Sequence, residues 1–163
     1  MSTRSARLRI AVLGLVATAT VVGVAIGTPG SGVDAVNLTR GVIEDNATTI
    51  SRDGRTRSGG AGRSDALFQL ATVAPGGHTG WHSHPSSTWV VVTKGELTHY
   101  LGHDPACTPH RYGPGAGFHQ PPGEIHIARN EGAVTTEFYV FYTGLRSGQA
   151  ARTDEAKAAN CPF

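Results

Sequence analysis

The stretch from Gly76 to Gly95, GGHTGWHSHPSSTWVVVTKG, is the most informative part of this 163-residue chain. It contains His82 and His84, separated by one residue. Side chains two residues apart on a β-strand point to the same face, so both imidazoles can approach one point. Imidazole nitrogens bind metals such as zinc at about 2.0–2.1 Å. The pair predicts part of a metal site, which needs a further ligand from another strand.

A second stretch, from Gly115 to Asn130, reads GAGFHQPPGEIHIARN. Its Pro121-Pro122-Gly123 segment predicts a tight turn. The residues that follow, Ile125-His126-Ile127, alternate between apolar and polar, as at the start of a strand. His126 is therefore the candidate third ligand.

Together the two stretches resemble the two sequence motifs of the cupin superfamily, G-x5-H-x-H-x3,4-E-x6-G and G-x5-P-x-G-x2-H-x3-N. The matching positions are Gly76, His82, His84, Gly95, Gly115, Pro121, Gly123, His126 and Asn130. The resemblance implies an all-β fold with a single cupin-type β-barrel, also described as a double-stranded β-helix or jelly roll. It further implies that the histidines at 82, 84 and 126 approach one metal ion from facing strands.

The chain departs from the first motif at Thr88, which stands where the motif has glutamate. Threonine cannot replace an anionic ligand, so three neutral imidazoles remain and leave open positions for water or an anionic, chelating molecule. The resemblance implies one divalent transition metal as cofactor: Fe, Mn, Cu, Ni or Zn. Some family members with three histidines and no glutamate are iron-dependent dioxygenases, and the resemblance to them implies a similar activity here. A non-catalytic cupin that binds a small molecule or a metal is the open alternative.

Another histidine, His119, lies near the end of the strand that enters the proline turn. We expect it to face the cavity as a catalytic proton shuttle or a fourth ligand, with a half-exposed position at the barrel rim as the alternative. His99 lies on the strand after Gly95, and the sequence does not decide whether its side chain points into the barrel or outward. Glu124 lies two residues before His126 and could supply the missing carboxylate, but its position inside the turn favours an exposed place on the surface.

Short strands separated by turn signals every 8 to 12 residues predict a sandwich or barrel. One helix is expected, over Thr153 to Ala159, because Asp154 and Glu155 fall in its first turn. The predicted organisation is a signal peptide or membrane anchor (1–35), an N-terminal strand and flexible loop (36–65), the barrel (66–145), and a C-terminal tail with the short helix (146–163).

The N-terminal segment has the pattern of a secretory signal. Arg4, Arg7 and Arg9 precede an uncharged apolar run from Ile10 to Ile26, and small residues follow. This order predicts a signal peptide that is cut after Ala35. An uncleaved membrane anchor is the alternative, since the run lies near the lower length limit for a membrane span. Both interpretations place the domain outside the cytoplasm, either secreted or anchored.

The cysteines and charges agree with an exported protein that binds small molecules. In such a protein Cys107 and Cys161 are expected to form a disulfide, and without export two free thiols are the better prediction. Outside residues 1–35 the chain has 11 basic and 11 acidic side chains. This balance predicts no nucleic-acid partner. The resemblance also implies a homodimer that forms through edge strands.

Overall fold

The structure, a computed structural model, describes residues 27–44, 49–50, 57–58 and 63–163. All helical or strand elements in these residues are β-strands, so the all-β prediction is confirmed. The strands in chain order are β1 (Ser31–Ile43), β2 (Thr49–Ile50), β3 (Arg57–Ser58), β4 (Ser64–His78), β5 (His82–Ser83), β6 (Ser87–Lys94), β7 (Leu97–Leu101), β8 (His110–Tyr112), β9 (Gly117–Gln120), β10 (His126–Arg129), β11 (Thr136–Leu145) and β12 (Thr153–Asp154). Within the described ranges, no helix has the length and apolar character that a membrane crossing requires.

The strands form two antiparallel halves of a nearly closed barrel. One half has the order β1-β4-β11-β6-β9, and the other has the order β12-β5-β10-β7-β8. The pairing of Arg129 with His78 joins β10 to β4 and links the halves. The predicted single β-barrel is therefore confirmed. Strands β2 and β3 form a separate two-stranded sheet.

Alternation along the strands fills the interior of the barrel. Phe138, Val140 and Tyr142 of β11 are each about 95% buried, whereas Tyr139 between them is 44% exposed. This is the period of two that a strand imposes when one of its faces is covered. The buried side chains pack into one core with Leu67, Ala71, Val73, Val90, Val92, Leu97, Ala128 and Leu145.

The barrel begins earlier in the chain than predicted. Strand β1 starts at Ser31, and Val33 and Ala35 pair with Val73 and Ala71 of β4. Strand β1 therefore crosses the predicted boundary at Ala35, and a cut there would remove the first five residues of this paired strand. Residues 1–26, which contain the rest of the predicted leader, and most of the loop predicted within 36–65 lie outside the described residues.

The helix predicted over Thr153 to Ala159 is wrong. Thr153 and Asp154 instead form β12, which pairs with β5, and the residues after them are irregular. The N–H group of Glu155 donates to the carbonyl oxygen of Trp81 at 2.9 Å. Pairing with the barrel thus outweighs the weak local preference for a helix.

The predicted disulfide is confirmed, since Cys107 and Cys161 are joined with their Cα atoms 5.4 Å apart. The bridge attaches the C-terminal segment to the connection between β7 and β8. Cys161 packs there in a second buried cluster with Trp81, Tyr100 and Ile127. Trp81 immediately precedes His82, so the bridge supports the barrel next to the first histidine of the His82–His84 pair.

Candidate metal centre

The three histidines of the motifs lie together on one side of the barrel interior. His126 opens β10 and is the direct antiparallel partner of His82 in β5. The ring centroids of these two residues are 4.3 Å apart. The centroid of the His84 ring lies 4.8 Å from that of His82 and 5.1 Å from that of His126. One ligand nitrogen from each ring lies within 4.8 Å of the other two. The structure therefore brings all three predicted residues to one point.

The proline turn of the second motif is hydrogen-bonded to the first motif. Glu124 donates its N–H to the carbonyl oxygen of Pro121 at 3.2 Å, and Gly123 has a φ of +77°. A positive φ at the third residue of such a turn strongly favours glycine. The N–H group of Gly123 also donates to the carbonyl oxygen of His84 at 2.8 Å. The turn thus fixes the backbone of His84 relative to the strand that carries His126.

Asn130, the last position of the second motif, has a structural role. Its side-chain nitrogen donates to the carbonyl oxygens of Val73 at 2.8 Å and Val134 at 2.7 Å. Its side-chain oxygen accepts from the N–H of Gly132 at 3.0 Å. These bonds satisfy a side chain that is 1% exposed and hold the end of β10 against β4.

Backbone carbonyl groups fix which ring nitrogen of each histidine carries the proton. The Nδ1 atoms of His82, His84 and His126 lie 2.9, 2.7 and 2.8 Å from the carbonyl oxygens of Gly80, Ala151 and Glu124, respectively. A carbonyl oxygen only accepts, so each Nδ1 is the donor and each neutral ring has its lone pair on Nε2. The Nε2 atoms of His82 and His126 face each other at 3.2 Å. Two acceptors at that distance repel each other unless a cation or proton lies between them.

Burial keeps these rings neutral. His82, His84 and His126 are 5%, 4% and 0% exposed. Desolvation lowers the pKa of His84 to about 4 and holds the pKa values of the other two well below the usual histidine range. The neutral form is the one that binds metal ions, so the site is prepared for a metal at neutral pH.

A cavity of about 320 Å³ opens beside the histidines. Its wall is mostly apolar, with Leu67, Val90 and Phe138 among the lining residues, and it also includes Arg40 and Arg152. Among the described residues that line it, none is an aspartate or a glutamate. Both guanidinium groups are paired with carboxylates, Arg40 with Asp65 at 2.7 Å and Arg152 with Asp154 at 2.6 Å, so the positive charge that they bring to the cavity is largely offset.

The C-terminal segment, predicted as a tail, is part of the wall of the site. Ala151 supplies the carbonyl oxygen that orients His84. Arg152 donates from Nη2 to the carbonyl oxygen of Thr79 at 2.7 Å. Ser83, between the two histidines of the first motif, donates its hydroxyl to Glu155 Oε1 at 2.7 Å. The sequence carries no local signal for these contacts, since they join residues about 70 positions apart.

The structure does not bring His119 to the cavity. In β9 it pairs with Trp89 of β6, on the outer face of the barrel, and the centroids of the two tilted rings are 4.3 Å apart. The next residue, Gln120, faces inward and is 3% exposed. The expectation that His119 shuttles protons or ligates a metal therefore has no geometric support.

Two further residues lie next to the three histidines. His99 is 3% exposed, and its ring centroid is 5.0 Å from that of His126. Gln120 places its side-chain nitrogen 2.7 Å from His126 Nε2 and 3.3 Å from His99 Nε2. Sequence reasoning left the direction of His99 open and missed Gln120, because a shift of one residue in strand register exchanges the two faces.

Comparisons with known proteins agree with the barrel. The family model described as a Cupin domain matches residues 69–142. The chain is similar in structure to the polyketide cyclase RemF from Streptomyces resistomycificus, with 17% identity, a TM-score of 0.54, and coverage of 83% of this chain and 80% of that one. The chain is also similar in structure to Peruvianin-I, described as a cysteine peptidase from Thevetia peruviana latex. The identity is 19%, the TM-score is 0.51, and the match covers 77% of this chain and 68% of that one.

An oxalate oxidase is a more distant neighbour, with 24% identity and a TM-score of 0.45. The match covers 48% of this chain and 42% of that one, so this chain spans less than half of that protein. No curated protein matches the sequence. At these identities the structural likenesses concern the fold alone.

Proposed function

We propose that this chain, a member of the cupin superfamily, holds one divalent transition metal ion through His82, His84 and His126 and uses it on a small anionic or chelating molecule. The observation that carries the proposal is the orientation of the three rings. Each Nδ1 is bonded to a backbone carbonyl, so three unprotonated Nε2 atoms converge in a buried site. A cation at their centre turns this repulsive arrangement into a stable one.

Three neutral ligands leave the charge of the metal uncompensated and some of its coordination positions open. A chelating anion is the natural occupant of those positions, because it offsets the charge of the metal. If the ion is Fe, Mn, Cu or Ni, it supplies chemistry that zinc lacks, the activation of dioxygen beside the bound molecule. We therefore propose a dioxygenase-like activity in which both oxygen atoms enter the organic substrate.

A non-catalytic binding module is the alternative, and one observation favours it. The described cavity wall offers no carboxylate as a general base, and the hydroxyl of Tyr142 already donates to Gln69 Oε1 at 3.0 Å. Oxygen uptake measured with small catechols, diketones and thiols separates the two functions. Uptake that depends on the bound metal supports the enzyme. Calorimetric binding of one of these molecules without uptake supports the module.

Elemental analysis of the purified protein, produced without a histidine tag, tests the metal site. We expect one transition metal ion per chain. His126→Ala removes the central, fully buried ligand and is expected to reduce the metal content to a small fraction of that value. His119→Ala is the matched control, because that ring lies on the outer face and should leave the content unchanged. Unchanged metal content in His126→Ala would exclude the proposed site.

We also propose that the protein acts outside the cytoplasm, secreted or anchored by its N-terminal segment. The disulfide between Cys107 and Cys161 supports this location, since such bonds persist in oxidising compartments. The apolar run from Ile10 to Ile26 is the corresponding export or anchoring signal.

A homodimer is the quaternary structure that we propose. On the outer face of the barrel, Val36, Leu70, Tyr139 and Val91 form one cross-strand row over β1, β4, β11 and β6. Val36, Tyr139 and Val91 are 52%, 44% and 47% exposed. A continuous exposed apolar row of this kind is typical of a protein interface. Light scattering should give twice the chain mass, and a monomer at all concentrations would exclude the dimer.

A further inference from the structure

The side chain of Gln120 lies where the missing glutamate of the first motif would be needed. Gln120 in β9 is the direct cross-strand partner of Thr88 in β6, the residue at the glutamate position. Paired residues of an antiparallel sheet point to the same face, and both residues are buried. A longer side chain on the neighbouring strand can therefore reach the space that threonine leaves.

The carboxamide of Gln120 is already in contact with the histidines. Its nitrogen is 2.7 Å from Nε2 of His126, the nitrogen whose lone pair faces His82. The side-chain oxygen of Gln120 is buried and has no hydrogen-bond partner in the described part of the chain. A buried acceptor without a partner is rare in folded proteins and calls for a specific explanation.

A bound cation would give the orphaned oxygen a partner, provided that the amide is turned so that its oxygen faces the histidines. The amide nitrogen now donates to the same lone pair of His126 that a metal ion would take. Turning the amide by 180° exchanges its oxygen and nitrogen at nearly unchanged positions. The oxygen then points to the space between His126 and His82 and gains the cation as its partner, while the lone pair of His126 is released.

We propose that Gln120 is the fourth protein ligand of the metal and replaces, from the adjacent strand, the glutamate that is absent at position 88. The inference rests on the proposed metal site. It also gives that site a defined character, since three imidazoles and one carboxamide are all neutral. The bound ion keeps its full double charge, which favours anionic ligands at the remaining positions more strongly than a glutamate-containing site does.

Cobalt(II) is a suitable probe, because its visible spectrum changes with the number of ligands. The proteins to compare are wild type, Gln120→Leu, Gln120→Glu and Gln69→Leu. The last is a matched control, since Gln69 also lines the cavity but its carboxamide bonds to Asn37 and Tyr142. We expect Gln120→Leu to bind cobalt at least tenfold more weakly, with an altered spectrum, and Gln69→Leu to match the wild type.

The glutamate variant tests the charge argument. Gln120→Glu should bind cobalt at least as tightly as the wild type but should bind azide, added as a test anion, at least tenfold more weakly. Equal azide affinity in the two proteins would contradict the proposed role of a neutral ligand. The thermal unfolding of each metal-free variant serves as the folding control. If Gln120→Leu does not fold, Gln120→Asn, which is one methylene shorter, replaces it.

Failures of the two proposals are distinguishable. Wild type that binds no cobalt in a defined ratio would overturn the metal site and with it the role of Gln120. Wild type that binds one cobalt ion, together with a folded Gln120→Leu of identical affinity and spectrum, would overturn the role of Gln120 alone.

Discussion

At the scale of single residues, three backbone carbonyl groups determine what the histidines can do. The groups on Gly80, Ala151 and Glu124 hold each Nδ1 proton, which leaves each Nε2 free as a ligand. His82, His84 and His126 could be predicted because the motif spacing is visible in the sequence. The carbonyl groups of Gly80 and Glu124 lie two residues from their histidines, whereas that of Ala151 lies 67 residues from His84 and could not be assigned from the sequence.

The choice between His119 and Gln120 also belongs to this scale. Both lie on the four-residue strand β9, and its alternation points one inward and one outward. The sequence does not show which of the two points inward. The turn after β9 does not determine which face of the strand covers the interior of the barrel. The chemical preference for histidine as a ligand favoured His119, whereas Gln120 is the residue that faces the cavity. The register of Gln120 with Thr88 is visible only in the folded chain.

Asp65 permits a prediction on pH and stability. Its side chain is 6% exposed and accepts hydrogen bonds from Arg40 Nε at 2.7 Å and from the N–H of Gly148 at 3.1 Å. The hydrogen bond from Arg40, followed by that from Gly148, lowers the pKa of Asp65 below its usual value of 3.8. The ionised carboxylate therefore stabilises the fold above pH 3.8, and this stabilisation is lost as the pH falls through the lower folded pKa.

We accordingly expect Asp65→Asn to have a lower Tm than wild type at neutral pH, with a difference that shrinks below pH 3.8. Thermal unfolding followed by circular dichroism over this range measures it. Asp34→Asn, at an exposed position of β1, is the control and should change Tm little. A Tm difference that grows on acidification would contradict the role given to the ion pair.

At the scale of elements, the C-terminal segment is the largest departure from the sequence prediction. Residues Thr153 to Ala159 have a helical pattern, but β12 and the contact of Glu155 with Trp81 place this segment against β5. The strands themselves were largely predictable, since alternation and turn residues mark β6, β7 and β11. The start of β1 and the whole of β8 were not predicted as strands, because the glycine and serine residues before β1 and the prolines near β8 are typical of loops.

The disulfide leads to a prediction for this segment. It closes a loop of 54 residues and holds the C-terminal end beside Trp81. Replacement of both Cys107 and Cys161 by serine is expected to lower the free energy of unfolding by about 2–4 kcal/mol. Urea unfolding of the oxidised wild type and of the double variant measures the loss. Equal denaturation midpoints would show that the C-terminal segment is held by packing alone.

At the scale of the whole molecule, the two motifs come together because the two halves of the barrel are built from interleaved parts of the chain. The barrel fold could be predicted, since nine motif positions carry the spacing that places His82 and His84 opposite His126. The N-terminal boundary of the barrel could not be predicted, because the glycine- and serine-rich residues before Val36 are also typical of the end of a signal peptide. Their pairing with β4 depends on contacts about 40 residues away.

The position of β1 predicts a different mature N-terminus. Thr28 already donates its backbone N–H to the carbonyl oxygen of Glu155 at 2.9 Å, so the ordered barrel includes it. Ala25 and Gly27 offer small residues two positions apart, as signal peptidase sites require. We expect the exported protein to begin at Thr28, which intact-mass spectrometry would show. An N-terminus at Val36 would contradict the pairing of residues 31–35 in a stable barrel.

The convergence of three Nε2 atoms on one ion is tested most directly by a crystal structure of the metal-loaded protein, with anomalous scattering recorded at the absorption edge of the metal. We predict a single strong peak about 2.0–2.2 Å from Nε2 of His82, His84 and His126. A peak bound elsewhere, or loaded crystals in which these three rings bond only to one another, would contradict the account.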